Sequence, residues 1–364
     1  FRFEDNKDLV RFKQKTGNLK GILQKLKEGY FKDLGINLIW LSPFYDGPWI
    51  DGGYDATDFF SVHPDLGTIK DIKDIVKEAH SQGIRIIQDL VMGHTSDQHE
   101  LFQLSKESWM TILEYEDLIK KEGVENVKPL PNRIIEDANF YVWVPKKYKT
   151  NYNNSANFKA WIDSKDVKGM SYQSSFLPNQ PRLNLRNPKV KEYLKSIIIF
   201  WRKLGIDGFR IDMSNALVNG ESVDEYPMFY SDFYKKYIYP KVVYKNNPFK
   251  IALPSDKNPT LFQEARYTLN TIDNILVQKE IFEGIYKDLP EGPGIIMGEF
   301  IGRPDKQSDY VSFMDAFISQ EYLVTNANPA SFKDAIFTLD NDWHDLNSPA
   351  IFLSTHDRSR IFER

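Results

Sequence analysis

Charged and imidazole side chains recur at the C-terminal ends of short apolar runs. Asp89 and His94 close one run, Arg210 and Asp212 a second, Glu299 a third, and His356-Asp357 a fourth. A charge embedded in Gly208-Phe209-Arg210-Ile211-Asp212-Met213 is costly to bury unless it is paired or put to use. A buried Arg210–Asp212 ion pair is the plainer account. On that run alone the two accounts stand level, but four such ends in succession favour chemistry. The reaction that calls for several carboxylates and neither metal nor thiol is glycoside hydrolysis. One carboxylate attacks the anomeric carbon while a carboxylic acid protonates the leaving oxygen. In retaining enzymes the two face each other about 5–5.5 Å apart. A neighbouring Arg keeps the nucleophile ionised. The acid needs a raised pKa, which a partly apolar pocket and nearby negative charge supply.

The elements that must position these groups are legible from periodicity. Leu19 to Leu34 reads as a helix with Ile22, Leu23, Leu26, Tyr30 and Phe31 on one face, stopped by Gly35. Ile36 to Leu41 is a continuous apolar run that reads as a buried strand. A Gly-rich loop (46–53), a helix over Ile69–His80 and a strand over Ile84–Val91 follow. The unit recurs as a helix over Val190–Leu204, a stop at Gly205 and a strand over Ile206–Met213. Gly294–Phe300 and Ala350–Thr355 are further strand candidates. Buried rather than alternating strands, each preceded by a helix, predict a parallel sheet with helices outside. In a parallel barrel the C-terminal strand ends carry the active site.

Between about 97 and 178 the pattern breaks into a Lys-, Asn-, Tyr- and Ser-rich stretch. It is too long for a structureless loop and predicts an inserted subdomain. A second long excursion covers 214–290.

The chain has 364 residues, which suits one large barrel with an insertion. Its net charge of −4 gives no sign of a nucleic-acid or anionic-membrane partner. No apolar run reaches the length of a spanning helix. Cysteine is absent, which excludes disulfides and thiolate metal sites. Aromatics make up 14% of the chain, which fits both sugar stacking and an ordinary core. Compartment and oligomeric state are not readable from the sequence.

With the acids in place, the chain resembles the α-amylase family of glycoside hydrolases over nearly its whole length. Leu34-Gly35-Ile36-Asn37-Leu38-Ile39-Trp40-Leu41-Ser42-Pro43 is similar to that family's second barrel strand. Gly53-Tyr54-Asp55-Ala56-Thr57-Asp58-Phe59 is similar to its Gly-Tyr-Asp segment, and Asp89-Leu90-Val91-Met92-Gly93-His94 to its Asp-x-Val-x-Asn-His segment. Gly208-Phe209-Arg210-Ile211-Asp212 resembles the nucleophile strand, Gly298-Glu299 the acid/base strand, and His356-Asp357 the final His-Asp pair.

The resemblance implies a (β/α)8 TIM barrel, incomplete at both ends in this sequence, with a subdomain inserted after the third strand. It divides the chain into a discontinuous barrel, 1–96 and 179–364, and an inserted subdomain, 97–178. It also implies Asp212 as nucleophile, Glu299 as acid/base and Asp357 as transition-state stabiliser. Arg210 would orient Asp212, His94 and His356 would bind sugar hydroxyls, Asp55 would bind the same sugar, and Tyr54 would stack beneath it.

Segments at Thr95–His99, Phe140–Trp143, Gln180–Asn184 and His356–Arg360 resemble the α-glucosidase and oligo-1,6-glucosidase branch. The substrate class implied is short α-glucosides. Glucosyl transfer or isomerisation, endo-acting amylase activity, and an inactive relative serving as an interaction subunit are the alternatives. No cofactor is expected. Gly93 replaces an Asn that in the family often helps hold calcium, and Asp5, Asn6, Asp8 and Asn18 give only a faint echo of a second calcium loop. Structural calcium is therefore not supported. Arg182 replaces an Asp of the Gln-Pro-Asp-Leu-Asn segment, and Met213 follows the nucleophile at a position linked to linkage preference. Expressed alone, these 364 residues are expected to fold poorly.

Overall fold

A computed structural model describes residues 17–146, 160–218, 272–300, 309–323 and 349–352. Its centre is one six-stranded sheet. In chain order the strands are β1 (Leu38–Leu41), β2 (Tyr45–Asp46), β3 (Asp58–Val62), β4 (Arg85–Leu90), β5 (Trp143–Pro145), β6 (Trp161–Asp163), β7 (Met170–Gln173), β8 (Gly208–Ile211), β9 (Ile295–Phe300), β10 (Ala316–Leu323) and β11 (Pro349–Phe352). The large sheet runs β1-β4-β8-β9-β10-β11, with each pairing parallel. This is the curled parallel sheet of a barrel fold. The register sets Asp89 opposite Arg210 and Ile211 opposite Gly298. The strand-end charges of β4, β8 and β9 therefore meet along one edge.

The helices are α1 (Leu19–Lys27), α2 (Tyr30–Asp33), α3 (Ile69–Ser81), α4 (Glu100–Glu122), α5 (Asn132–Ala138), α6 (Pro188–Lys203) and α7 (Ile272–Ile285). Local chemistry sets their ends. Thr68 and Asp71 form a reciprocal capping box at the start of α3. Asn187 caps α6, and Pro188 occupies its first turn. The inner stripe of α6 buries Val190, Leu194, Ile197, Ile198 and Trp201. Trp201 also donates its indole N–H to the Phe59 carbonyl at 2.8 Å, so helix and sheet are joined by a satisfied polar contact inside the aromatic core.

The structure departs from the periodicity reading in several places. The single helix expected over Leu19–Leu34 is two, because the chain turns left-handed at Gly29, φ 75°. The strand expected over Ile206–Met213 narrows to Gly208–Ile211, since Met213 also turns left-handed, φ 47°. The stretch from 97 contains the 23-residue helix α4. Its described part also holds an antiparallel sheet ordered β5-β7-β6. Helix α4 escaped the periodicity reading because it buries only Phe102, Ser105, Ser108, Trp109 and Ile112, and nothing after Ile112. Helix α7, inside the second excursion, and strand β10 carried no recognised pattern.

Candidate active site

The site is organised around one guanidinium. Arg210, on β8, is 1% exposed. Its Nη1 donates to Asp89 Oδ1 at 2.7 Å and to Asp212 Oδ1 at 2.8 Å. Its Nη2 lies 2.7 Å from Glu299 Oε2. The face of Trp40 lies 4.9 Å from the guanidinium carbon, a cation–π contact. Asp212 and Glu299 thus sit at the two ends of a single planar group. They are 8% and 7% exposed, so each keeps only a small opening to solvent.

Asp89 anchors this group from below. Its Oδ2 accepts from Tyr54 Oη at 3.0 Å and from Trp40 Nε1 at 3.2 Å. Its carbonyl accepts from Tyr45 Oη at 2.7 Å. Burial keeps both phenols protonated, and the nearby Asp89 charge acts the same way, so both are donors. Three carboxylates face one guanidinium, an excess of negative charge in a dry site. Burial pushes the carboxyls of Asp89 and Asp212 up, and Arg210 opposes it at both. At Asp212 the Glu299 and Asp89 charges push the same way as burial.

Glu299 is held a second time, from the backbone. The Met213 N–H donates to its Oε2 at 3.0 Å. Met213 itself sits in the left-handed region, where a non-glycine residue is strained.

Two other expected residues lie beside this group. His94 Nε2 is 3.1 Å from the Tyr54 carbonyl. A carbonyl can only accept, so the ring proton is assigned to Nε2. Burial pushes the His94 pKa down to about 3, keeping the ring neutral. Asp55 is fully buried, and its carboxylate accepts from the Ile50 and Asp51 amides at 2.9 and 3.2 Å. It therefore fastens the 46–53 loop. Gln180 ties the same loop across by donating to Asp51 Oδ2 at 2.7 Å. The structure thus brings Asp212, Glu299, Arg210 and Tyr54 into one network, with His94 and Asp55 joined to it through the Tyr54 backbone. His356 and Asp357 lie outside the described residues.

The sequence reading noticed Asp89 as a strand end but gave it no role. Trp40 and the Met213 amide were missed outright. The apolar run around Trp40 hints at burial beside the site. Nothing in residue types announces a backbone N–H aimed at a carboxylate.

Among the described residues the side chains do not fit the calcium that the resemblance implies, and Asp5, Asn6 and Asp8 lie outside the described residues. Among the described residues no group of three or more His, Asp or Glu side chains could hold a metal ion. Gly93 offers no side-chain oxygen, Arg182 carries a positive charge where a carboxylate would serve, and Asn18 is engaged in capping α1.

Residues 2–291 match the family described as "Alpha amylase, catalytic domain". The chain is 36% identical over 203 residues to an α-glucosidase of Apis mellifera, covering 54% of this chain and 31% of that protein. It is 30% identical over 297 residues to an oligo-1,6-glucosidase of Parageobacillus thermoglucosidasius, covering 76% of this chain and 47% of the relative. The chain thus spans less than half the length of these curated relatives. Among solved structures, a Bacillus licheniformis trehalose-6-phosphate hydrolase superposes with a TM-score of 0.69 at 22% identity, over 100% of this chain and 57% of its own. An α-glucosyl transfer enzyme superposes with a TM-score of 0.69 at 25% identity, over 98% and 59%. Order of motifs, sheet topology and the domain match agree, and the chain belongs to the α-amylase family.

Proposed function

We propose that this chain carries the catalytic centre of a retaining α-glycoside hydrolase acting on short α-glucosides. The observation that carries the reading is the placement of Asp212 and Glu299 at opposite ends of the Arg210 guanidinium. Two carboxylates converging on one strand-end edge supply the nucleophile and the acid/base that a double displacement uses.

Asp212 Oδ1 is held by Arg210, which leaves the second carboxylate oxygen to attack the anomeric carbon. The bond from that carbon to the leaving oxygen breaks as Glu299 delivers its proton there. A glucosyl ester forms on Asp212. Glu299, now a carboxylate, takes a proton from water, and the hydroxide attacks the same carbon and releases Asp212. The Met213 amide and Arg210 would steady Glu299 in its ionised stage. Asp357 and His356 would grip sugar hydroxyls, Asp55 and His94 would help shape the same subsite, and Tyr54 would form its floor. A subdomain over 97–178 would wall the pocket and favour short substrates over long polymers.

The names of the relatives support this substrate class. They include α-glucosidases, oligo-1,6-glucosidases and a trehalose synthase/amylase of Mycolicibacterium smegmatis that is 38% identical over 215 residues. Glucosyl transfer is the second reading, because the ester can pass to a sugar hydroxyl as readily as to water. Asp212, Glu299 and Arg210 are all retained, which weighs against an inactive relative.

The test is turnover of p-nitrophenyl α-glucoside by the whole protein, followed by maltose, isomaltose, trehalose, sucrose and starch with product chromatography. Wild type should release nitrophenol, and Asp212→Ala should lose several powers of ten in rate. Equal rates would end the nucleophile assignment. Disaccharide products would favour transfer, and preference for starch would favour an endo-acting enzyme.

A further inference from the structure

We infer that Arg182 is a positioning residue whose guanidinium fastens the inserted segment to the loop bearing Asp212 and Met213. Its catalytic readout rests on the glycosidase reading, but its structural readout does not.

The backbone of Arg182, just past the 97–178 segment, is tied both to that segment and to the loop after β4. It bridges His94 in antiparallel fashion. Its N–H donates to the Gln173 carbonyl at 2.8 Å, and its carbonyl accepts from the Val142 N–H at 3.1 Å. The side chain runs the other way. Although only 8% exposed, it sends Nη2 to the Ala216 carbonyl at 2.5 Å. A buried guanidinium is costly unless its donors are used, so this one is committed to its partners.

Ala216 closes the 3-10 turn Ser214–Ala216, which starts directly after the left-handed Met213. The same turn is also gripped by α7. Asn274 and Gln278 both donate to the Ser214 carbonyl at 2.8 Å, and the Val218 N–H donates to Asn274 at 2.9 Å. A strained residue persists only where its surroundings over-determine it. The turn that follows Met213 is held by α7 at Ser214 and Val218 and by Arg182 at Ala216. Met213 donates its amide to Glu299 and directly follows Asp212, so the turn adjoins both carboxylates.

The misfit with calcium falls into place here. Gly93 leaves the adjoining space to Leu217, whose Cδ2 would come within 3.3 Å of any Cβ at position 93. The Ala216 carbonyl already accepts from a guanidinium. A metal ion on that oxygen would meet Arg182 as a like charge. The bridging cation between insertion and loop is therefore part of the chain itself.

The test uses the whole protein with Arg182→Ala, Arg182→Lys and Arg182→Gln, read by amide hydrogen exchange, steady-state kinetics and melting. In Arg182→Ala the amides of 213–218 should exchange at least about tenfold faster, while those of β4 and β8 stay protected. On p-nitrophenyl α-glucoside, kcat should fall at least about tenfold while KM moves less than about threefold. Lys should recover part of both losses, and Gln, a neutral donor, less. If the Ala variant does not fold, the Lys and Gln variants carry the same comparison. Unchanged exchange at 213–218 overturns the inference, as does a lowered melting point with kcat intact. A wild-type protein inert on every glycoside would sink the glycosidase reading, and the exchange data would still decide the role of Arg182.

Discussion

His99 gives the sharpest test of the electrostatics. The ring caps α4, with Nδ1 accepting the Leu101 N–H at 3.1 Å, while Nε2 lies 2.9 Å from Tyr193 Oη. Burial pushes its pKa down to about 4, with the Asp58 charge only partly opposing. An unfolded histidine titrates near 6.5. As pH falls, the unfolded chain takes up this proton before the folded one does. The stabilising contribution of a neutral His99 is therefore whole above about pH 6.5 and drains away as pH drops toward 4. By about pH 5 the unfolded ring is almost fully charged and the folded ring mostly is not, a loss of about 2 kcal/mol relative to pH 8. Protonating Nδ1 also removes the acceptor that caps the helix.

His94 drifts in the same direction, and the raised carboxyls of Asp89 and Asp212 in the opposite one. A carboxyl with a raised folded pKa is stabilising at low pH, and that contribution is lost as pH climbs through the folded value. These terms cancel in a comparison with His99→Asn, which keeps a capping acceptor but does not titrate. Urea unfolding at pH 8, 6 and 5 should show wild type losing about 2 kcal/mol more than His99→Asn across that range. Parallel pH profiles for the two proteins would refute the reasoning.

Three further substitutions probe the site's support. Asp89→Asn puts an amide where Arg210, Tyr54 and Trp40 all donate; it should cost about 3 kcal/mol in urea unfolding and roughly a hundredfold in kcat. Met213→Gly should change stability by less than about 1 kcal/mol, because left-handed backbone is free to glycine, whereas Met213→Val should lose about 2 kcal/mol. Gly208→Ala should yield no folded protein by circular dichroism, since its Cβ would stand 2.0 Å from the Ile295 carbonyl oxygen on the neighbouring strand.

The parallel architecture was legible because β4, β8 and β9 are short, largely apolar segments carrying charges near their C-terminal ends, and α3 and α6 carry clean inner stripes with caps and glycine stops. The convergence of Asp212, Glu299 and Arg210 followed from placing each charge at a strand end. What stayed hidden depends on tertiary register. Asp89 lies beside Arg210 only because β4 and β8 pair one residue to one. Met213 reads as the last residue of a strand, yet the chain turns left-handed there, against its own preference, and its N–H serves Glu299. Asp55 accepts from the Ile50 and Asp51 amides, five and four residues away, a loop fastening that its motif does not announce. Arg182 looked like a departure from a motif, and its partner, the Ala216 carbonyl, lies on a loop no periodicity connects to it.

The most direct test of the central claim is to trap the covalent species. Whole protein carrying Glu299→Gln, incubated with α-glucosyl fluoride, no longer has the base that hydrolyses the ester but does not need the acid to expel fluoride. Peptide mass mapping should find a hexosyl adduct on the fragment containing Asp212. An adduct on another residue, or none in a variant that still consumes the fluoride, would contradict it.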